Sequence, residues 1–348
     1  MAIKDPRPKK APQDLFEKTL KTIRNYEMIK SGDVILAAVS GGPDSVFLLH
    51  LLAGLKRKLG MKDIVVGNLD HGLRGKESRA DSRFVKEYAS KLGLKLIQRK
   101  VLLSSKKVKG LSTEELARQV RYRFFADSAK KARAGVIATG HTLDDQAETV
   151  LMRFIKGASL KGIVGIAPVR AEGPFRIIRP LIEIEKSEIV RYLDGYGIRY
   201  RIDSTNSEPI YFRNIVRNRI LPFLERYNPK LKRGLFNLAE HLREDFEFIS
   251  EEKRRVRGIA RRKETGVEVK LKDVVVQPKA LQKEILRDSL GRCGGEVKKL
   301  SFRHWKEVES LIRYGRKGNA VDLPGDIRVS RTASCLVFCR RTGNTLAI

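Results

Sequence analysis

Cysteine is scarce in this sequence, and its spacing excludes two common roles. The three cysteines, Cys293, Cys335 and Cys339, are too few for a disulfide framework. The last two are four residues apart within an apolar stretch, so they do not form the CxxC pair that often holds a metal or an iron–sulfur cluster. We therefore expect small core residues in a protein of a reducing compartment, the cytoplasm.

Long apolar runs are also missing. No run approaches the roughly 20 residues that a membrane-spanning helix needs, so no membrane partner is expected. Residues 1–14 are basic and rich in proline and lack the apolar segment of a signal peptide. We expect them to form a disordered arm.

Acidic side chains are far fewer than basic ones. Lys and Arg number 72 against 41 Asp and Glu, which gives a net charge of +31 in a chain of 348 residues. A surface this basic repels itself unless an anionic partner neutralises it, and without a membrane helix that partner is expected to be a nucleic acid. Residues 253–263 alone hold seven basic side chains, so they are either a solvated stretch or one that faces phosphates.

A glycine-containing loop lies between two apolar runs near the start of the chain. Residues 34–39 are β-branched and apolar, residues 40–45 read Ser-Gly-Gly-Pro-Asp-Ser, and residues 46–52 are apolar almost all round. A strand, a glycine turn and a helix N-terminus make an anion site, and no lysine follows the glycines as in a Walker A loop. Asp44 would repel a phosphate unless a cation lay between them, which suggests Mg²⁺; the alternative is an ordinary turn in which Asp or Ser caps the helix.

Strand and helix patterns alternate over the first 200 residues. This alternation predicts βαβ units and a doubly wound parallel sheet, with ligands beyond the carboxyl ends of the strands. Four polar motifs follow predicted strands, at residues 40–45, 70–74, 140–141 and 203–206. We expect a catalytic domain at 15–213, a helical segment at 214–256 and a small α+β domain at 257–348, the last two contacting the nucleic acid.

Two further groups of polar residues have both a functional and a structural interpretation. Asp144, Asp145 and Glu148 open a helix directly after His141; they are either a binding site or the acids that favour any helix N-terminus, and His141 could be structural. A second group mixes arginine with other polar side chains. It comprises Arg118, Arg121, Arg213, Asn214 and Arg217. Arg118 and Arg121 share one face of a predicted helix, and the structural alternative for them is a solvated basic face. The mixture around Arg213 suits phosphates and unstacked bases, and its alternative is the first turns of an amphipathic helix with an apolar face of Ile215, Ile220 and Phe223.

These motifs resemble a known family. Residues 40–45 resemble the pyrophosphate loop of the N-type ATP pyrophosphatases, whose members cleave ATP to AMP and pyrophosphate. Within that superfamily the order of segments is similar to the tRNA(Ile)-lysidine synthases. Those segments are 70–74, 117–122, 140–149, 179–181, 203–206 and 211–222, and 321–325 matches more loosely. One departure is residues 156–162, where the family more often has Arg-Gly followed by a second nearby glycine.

The resemblance implies a two-step reaction with ATP and Mg²⁺ on tRNA(Ile) carrying a CAU anticodon. The wobble cytidine is adenylated on the oxygen of carbon 2, and free L-lysine then displaces AMP to give lysidine. Homodimerisation is left open. The expected alternatives are a PP-loop tRNA thiolase, which the missing CxxC disfavours, and a non-catalytic RNA-binding protein, which the intact loop disfavours.

The resemblance also assigns roles to residues of this chain. The expected nucleotide contacts are Ser40, Gly41, Gly42, Pro43, Asp44, Ser45, Asp70, His71, Arg118 and Gly140. The expected catalytic residues are Asp44, His141, Asp144, Asp145 and Arg213, with Asp44 and Asp145 also on the metal. The expected substrate contacts are Arg121, Glu148, Asn214 and Arg217. Which acid holds lysine is left open.

Overall fold

The first part of the chain is built on a six-stranded sheet. A computed structural model describes residues 14–70, 76–101, 113–201, 212–256, 258–264 and 266–341. The chain divides into two units, Met1–Leu242 and Arg243–Ile348. The finer sequence-based division at residues 214 and 257 stays a prediction.

The sheet of the first unit is parallel except at one edge. Its strands are β1 Val34–Ala38, β2 Asp63–Asp70, β3 Lys95–Lys100, β4 Val136–Ala138, β5 Val169–Glu172 and β6 Phe175–Ile178. Their order is β3-β2-β1-β4-β6-β5, and only β5 runs antiparallel to its neighbour. The strand order reverses between β1 and β4, which is where open α/β sheets bind ligands.

Helices cover both faces of this sheet, as a doubly wound fold requires. They are α1 Asp14–Asn25, α2 Pro43–Leu55, α3 Lys76–Lys91, α4 Thr113–Ala132, α5 Leu143–Ile155, α6 Leu160–Ile163 and α7 Lys186–Gly195. Neighbouring residues of β1 enter different cores: Ile35 packs with α2 and α7, and Leu36 packs with Phe124 of α4. Because both faces are buried, β1 is apolar at every position.

An irregular helix follows the sheet. It consists of α8 Phe212–Ile215, a π-helical turn at Val216–Ile220 and α9 Leu221–Glu225. Pro222 has no N–H to donate, and the N–H of Leu221 donates to the carbonyl of Val216, five residues back. The proline therefore explains why the helix widens at this point. The longer α10 Leu231–Arg255 comes next.

The second unit contains an antiparallel sheet. Its strands are β7 Ala260–Lys263, β8 Gly266–Lys270, β9 Ala320–Leu323, β10 Ile327–Arg331 and β11 Cys335–Arg340, in the order β7-β8-β11-β10-β9. Its helices are α11 Leu271–Val275, α12 Lys279–Arg292 and α13 Phe302–Tyr314, with a 3-10 turn at Val297–Lys299. Cys335 is buried as expected, whereas Cys293 and Cys339 are only partly buried, and all three are free.

The predicted elements differ from the structure in three places. The hairpin strand β5 is not predicted from the sequence. The pattern of residues 176–182 predicts a single strand, but in the structure this strand ends at Ile178, two residues before Pro180. The sequence also predicts a short strand pair near 268–276; the pair is present but lies earlier in the chain, as β7 and β8. Residues 271–275 form α11 instead, with Leu271 and Val274 buried at helical spacing. Other expectations lie outside the described residues: the arm at 1–13, His71 and the rest of 71–75, Ser112, residues 203–206 and Tyr211.

No helix among the described residues is long and apolar enough to cross a membrane. This agrees with the sequence, in which every apolar run is short.

Candidate active site

The loop after β1 is held by the hydroxyl of Ser45. The backbone N–H groups of Ser40 and Gly41 each donate to its Oγ at 3.2 Å, and the hydroxyl donates to the carbonyl of Gly42 at 2.9 Å. Gly41 has a φ of +98°, a conformation that glycine adopts without strain. Ser45 is therefore buried in the loop, while Ser40 is exposed and keeps its side chain at the surface.

The N-terminus of α2 carries no side-chain cap. Gly42 is the N-cap residue and Pro43 starts the helix, so neither Asp44 nor Ser45 takes the capping role that was the alternative. The first N–H groups of a helix have no partner inside it, and the helix dipole adds positive potential there. Beside the reversal point of the sheet, this arrangement suits a phosphate group.

Asp44 is the unusual group of this loop. Burial raises its pKa to about 7; Lys186 opposes the rise, and Asp145 and Asp144 add to it. One carboxylate oxygen lies 3.8 Å from Nζ of Lys186, and the other is buried and accepts no hydrogen bond from the described residues. An orphaned buried carboxylate oxygen next to a phosphate site fits a divalent cation.

A cation at Asp44 would need further oxygens from a nucleotide and from water. The described residues contain no group of three potential metal ligands. Mg²⁺ commonly binds in this way, through one or two carboxylates together with substrate phosphates. Asp145, the second expected ligand, already has both oxygens in contacts within the chain.

The strand end after β4 packs directly on this loop. A Cβ atom at Gly140 would lie 3.2 Å from the carbonyl carbon and oxygen of Asp44 and 3.3 Å from the nitrogen of Ser45. These distances are shorter than a Cβ atom normally makes, so any other residue would push the two backbones apart by a few tenths of an ångström. Gly140 therefore has a packing reason to be glycine, in addition to the nucleotide contact predicted for it.

His141 follows in a partly buried position. Its Nδ1 lies 2.9 Å from the hydroxyl of Thr139. Burial lowers the pKa of His141 to about 4, with Asp145 acting against this and Arg179 adding to it. The ring is therefore neutral at physiological pH, so His141 can hydrogen-bond to a ligand but is a weak base.

Asp145 and Glu148 are bound by two arginines of the irregular helix. Nε and an Nη of Arg217 donate to Glu148 at 2.6 and 3.0 Å, and Nε of Arg213 donates to it at 2.8 Å. An Nη of Arg213 donates to Asp145 at 2.8 Å. Glu148 is only 1% exposed, whereas its three partners in this cluster are partly buried.

Asp145 also closes the capping box of α5. The N–H and the hydroxyl of Thr142 donate to one of its oxygens at 2.9 and 3.0 Å. Although burial acts to raise the pKa of Asp145, Arg213 and His141 hold it below its usual value. Asp145 therefore caps α5 and pairs with Arg213, and its role in binding a ligand stays a prediction.

Asp144 points to a different pair of partners. One oxygen accepts from Nζ of Lys232 at 2.9 Å, and the other accepts from the N–H of Lys186 at 2.7 Å. Lys232 also contacts Glu225 at 3.2 Å. An ammonium group therefore already lies on Asp144, the kind of group that a lysine substrate carries.

A group of arginines lies near the same strand ends. Arg118 and Arg170 lie over the ring of Tyr122, at 5.5 and 5.2 Å from its centroid. Arg179 is 2% exposed, and its Nε has no hydrogen-bond partner among the described residues. Burial lowers its pKa, with Tyr122 acting against this. Buried unpaired guanidinium nitrogens again suit an anion.

The structure thus brings together most of the predicted site residues, but not all. Asp70 is buried at the carboxyl end of β2, and Arg121 lies on α4. Sequence reasoning missed Lys186 and Lys232, since single lysines in so basic a chain carry no signal. It also missed Gln146, which is buried and accepts from the N–H of Ile166 at 2.6 Å, holding the loop after α6.

Comparison with known proteins gives a consistent result. Residues 12–224 match the family model of the PP-loop domain. The chain is 35% identical to tRNA(Ile)-lysidine synthase of Clostridioides difficile over 93% of this chain and 70% of that protein. It is 32% identical to the enzyme of the same name from Geobacter sulfurreducens, over 92% of this chain and 69% of that protein.

A solved structure supports the fold. The U34-tRNA thiolase of Methanococcus maripaludis, with its 4Fe–4S cluster, aligns over 66% of this chain and 78% of its own with a TM-score of 0.56. Its sequence is 19% identical, so the likeness concerns the fold alone. The predicted doubly wound fold is confirmed.

We predict that Gly140→Ala impairs ATP-dependent activity without unfolding the protein. The new methyl group would push the backbone of Asp44 and Ser45 by a few tenths of an ångström. Small displacements of reacting groups are costly, so the rate of pyrophosphate release should fall by roughly tenfold. Gly135→Ala is the matched control, because nothing lies within 4 Å of its added Cβ. Equal rates for both variants would contradict this prediction.

We predict that Asp44→Asn changes how stability depends on pH. The raised pKa means that the folded protein binds this proton more tightly than the unfolded chain, so wild-type stability falls as the pH rises from about 4 to about 7. Asparagine removes this loss. In a chelator, the variant should therefore gain roughly 1–4 kcal/mol over wild type by pH 8, and less at pH 5.

The measurement is a series of thermal melts from pH 5 to pH 8. Asp245→Asn, at an exposed position on α10, serves as the control for loss of a carboxylate. If the Asp44→Asn and wild-type curves ran parallel over this range, the burial of an ionisable Asp44 would be refuted.

Proposed function

Because the chain belongs to the PP-loop family and within it to the tRNA(Ile)-lysidine synthases, we propose that it ligates free L-lysine to carbon 2 of the wobble cytidine of tRNA(Ile) with a CAU anticodon. The first step joins the oxygen on carbon 2 of the base to the α-phosphorus of ATP and releases pyrophosphate. In the second step the ε-amine of lysine attacks carbon 2, and AMP leaves with that oxygen. The products are lysidine, AMP and pyrophosphate.

The observation that carries the proposal is the loop at residues 40–45. The backbone of the loop is held by the hydroxyl of Ser45, and together with the uncapped N-terminus of α2 it suits the phosphates of ATP. Ser40 is exposed, and its hydroxyl lies 3.2 Å from that of Ser45. In adenylation the barrier is dominated by charge on the phosphates, so donors fixed before the reaction lower it. Asp44 would hold Mg²⁺, which neutralises phosphate charge when bound.

The acids beside the loop provide for the second substrate. Lysine is a cation at neutral pH, and Asp144, Asp145 and Glu148 all lie at the start of α5. Two arginine side chains bind Glu148, whereas the only side chain that binds Asp144 among the described residues is that of Lys232. An incoming ammonium group can exchange with Lys232 at Asp144 more readily than it can displace the bidentate contact of Arg217 and the single hydrogen bond of Arg213 from Glu148.

Other features agree with a tRNA substrate. The net charge of +31 matches a polyanion, and Arg118 and Arg170 lie near the strand ends. A thiolase would be expected to use a cysteine pair or a cluster, and the sequence has no CxxC. The fold likeness to a thiolase therefore does not favour thiolation.

The decisive experiment is pyrophosphate release from ATP, measured with and without tRNA(Ile) and lysine. We expect release that depends on tRNA, and conversion of the wobble cytidine only when lysine is added. Release without tRNA, or no product with both substrates, would contradict the proposal.

We predict that neutralising one of the three acids near the start of α5, two of them in its first turn, lowers lysidine formation at least tenfold without unfolding. Loss of a charge-assisted contact to the lysine ammonium costs roughly 1.5–3 kcal/mol, whereas loss of dipole energy alone costs about 0.3–1 kcal/mol. The variants are Asp144→Asn, Asp145→Asn and Glu148→Gln. Glu148→Gln should also lower the melting temperature, because it leaves two guanidinium groups with a neutral partner.

The measurement is initial rate against lysine concentration, beside a thermal melt for each variant. If all three keep near wild-type rates, or lose activity only as they unfold, the helix start is a cap and lysine binds elsewhere.

We predict that tRNA affinity falls steeply with salt and that residues 253–263 contribute unequally. Lys253, Arg254, Arg255 and Lys263 each pair with a carboxylate. Arg261 and Arg262 are exposed and form no ion pair among the described residues. Replacing both with alanine should reduce the slope of log affinity against log salt by about 1–2.

The matched control is the double variant Arg254→Ala and Arg255→Ala, which removes the same charge from paired positions. An equal change of slope in both double variants would show that only total charge matters. A flat salt dependence in the wild type would refute the electrostatic account.

A further inference from the structure

An exposed pair of aromatic rings lies at the end of the irregular helix. Phe223 is 52% exposed and Tyr227 is 77% exposed. Their centroids are 5.4 Å apart and their planes meet at 66°. Large aromatic side chains lose the benefit of burial when they lie at the surface, so two in contact there call for an explanation.

The surroundings of this pair are basic. Arg226 adjoins Tyr227 in the chain, and Arg219 lies one helical turn before Phe223. Both arginines are exposed, and neither forms an ion pair among the described residues. We call these four residues, Arg219, Phe223, Arg226 and Tyr227, the aromatic–arginine face.

A second exposed phenylalanine provides a contrast. Phe248 on α10 is 65% exposed, and the helix positions three and four residues away from it are acidic. Those positions are Glu244, Asp245, Glu251 and Glu252. The two sites share exposure and ring type but carry opposite charge, so an anionic partner would select the aromatic–arginine face alone.

The aromatic–arginine face lies on the element that forms part of the candidate active site. Arg217 binds Glu148 from the π-helical turn, and Phe223 comes six residues later. At 1.5 Å per residue the two are separated by about 9 Å along the helix axis. The inner side of this segment is occupied, because Val216 and Leu221 are buried against α5.

We propose that the aromatic–arginine face binds unpaired nucleotides of the tRNA substrate by stacking bases on Phe223 and Tyr227. This inference rests on the proposed function, which supplies the tRNA, and adds the surface that holds the nucleotides near the modified base. Aromatic rings stack on any base, and exposed arginines contact the adjoining phosphates or stack on the bases themselves. A duplex offers no free base face, so the surface selects single-stranded RNA.

The test replaces the rings but keeps apolar side chains, with Phe223→Leu, Tyr227→Leu and the double variant. The KM for tRNA and the Kd for an anticodon stem-loop RNA should rise by about 5- to 100-fold in the double variant. The KM values for ATP and lysine should stay unchanged, since neither ring belongs to the catalytic residues. Phe223→Tyr and Tyr227→Phe keep the aromatic rings, so these variants should bind RNA like the wild type.

The matched control is Phe248→Leu, which removes an equally exposed ring from an acidic surface and should bind RNA like the wild type. The dependence of affinity on salt separates ring stacking from arginine–phosphate contacts. The leucine variants should lose affinity while the slope of log affinity against log salt stays unchanged, whereas Arg219→Ala should reduce this slope by about 1.

Wild-type affinity for the stem-loop in the double variant would overturn the inference. So would a change of oligomeric state in the leucine variants, measured by light scattering, because the face would then be covered by a second copy of the chain. Lysidine formation by the wild type is measured in the same preparations. A protein that binds RNA through this face yet makes no lysidine would refute the proposed function and leave this inference standing.

Discussion

The buried carboxylate of Glu148 sets the position of the irregular helix at the site. It accepts three hydrogen bonds from Arg213 and Arg217, which lie 65 and 69 residues further along the chain. A buried ion pair adds little net stability, because desolvation offsets the attraction, but removing one partner leaves an uncompensated charge. Its effect is therefore mainly to fix geometry: only one docking of the helix gives both guanidinium groups their partners.

That geometry determines what the neighbouring acids can do. Asp145 shares Arg213 with Glu148 and closes the cap of α5, so two of the three acids are held by fixed contacts. Asp144 faces a lysine side chain and a backbone N–H instead. Two acids thus build the site, and the third is the one whose cationic partner can be exchanged. The sequence showed three acids at one helix start but could not distinguish them, because their partners are distant in the chain.

The loop at residues 40–45 was more predictable than the acids around it. Its strand, turn and helix are encoded by neighbouring residues, and the expected anion site depends on local backbone geometry. Even so, the role of Ser45 differs from a simple phosphate contact, since its hydroxyl is used within the loop. The raised pKa of Asp44 could not be read from the sequence, because burial depends on how β1 and β4 pack. Gly140, 99 positions from Gly41, shows the same limit: its contact with Asp44 appears only in the fold.

The charges of the site follow from the two substrates that it is proposed to join. ATP brings negative charge to the N-terminus of α2, and lysine brings positive charge to the N-terminus of α5. A helix N-terminus favours anions, so a cation can be held there only if carboxylates outweigh the dipole. At α5 three acids are present, paired with arginines and with Lys232, and the proposed exchange of Lys232 for the substrate leaves Asp144 to hold the incoming cation. At α2 there is a single carboxylate, Asp44, and because burial raises its pKa to about 7, it is partly protonated at neutral pH. The N-termini of α2 and α5 therefore prefer ligands of opposite charge. The start of α5 carries three carboxylates and suits a cation, whereas the start of α2 carries one carboxylate, partly neutralised by burial, and suits an anion.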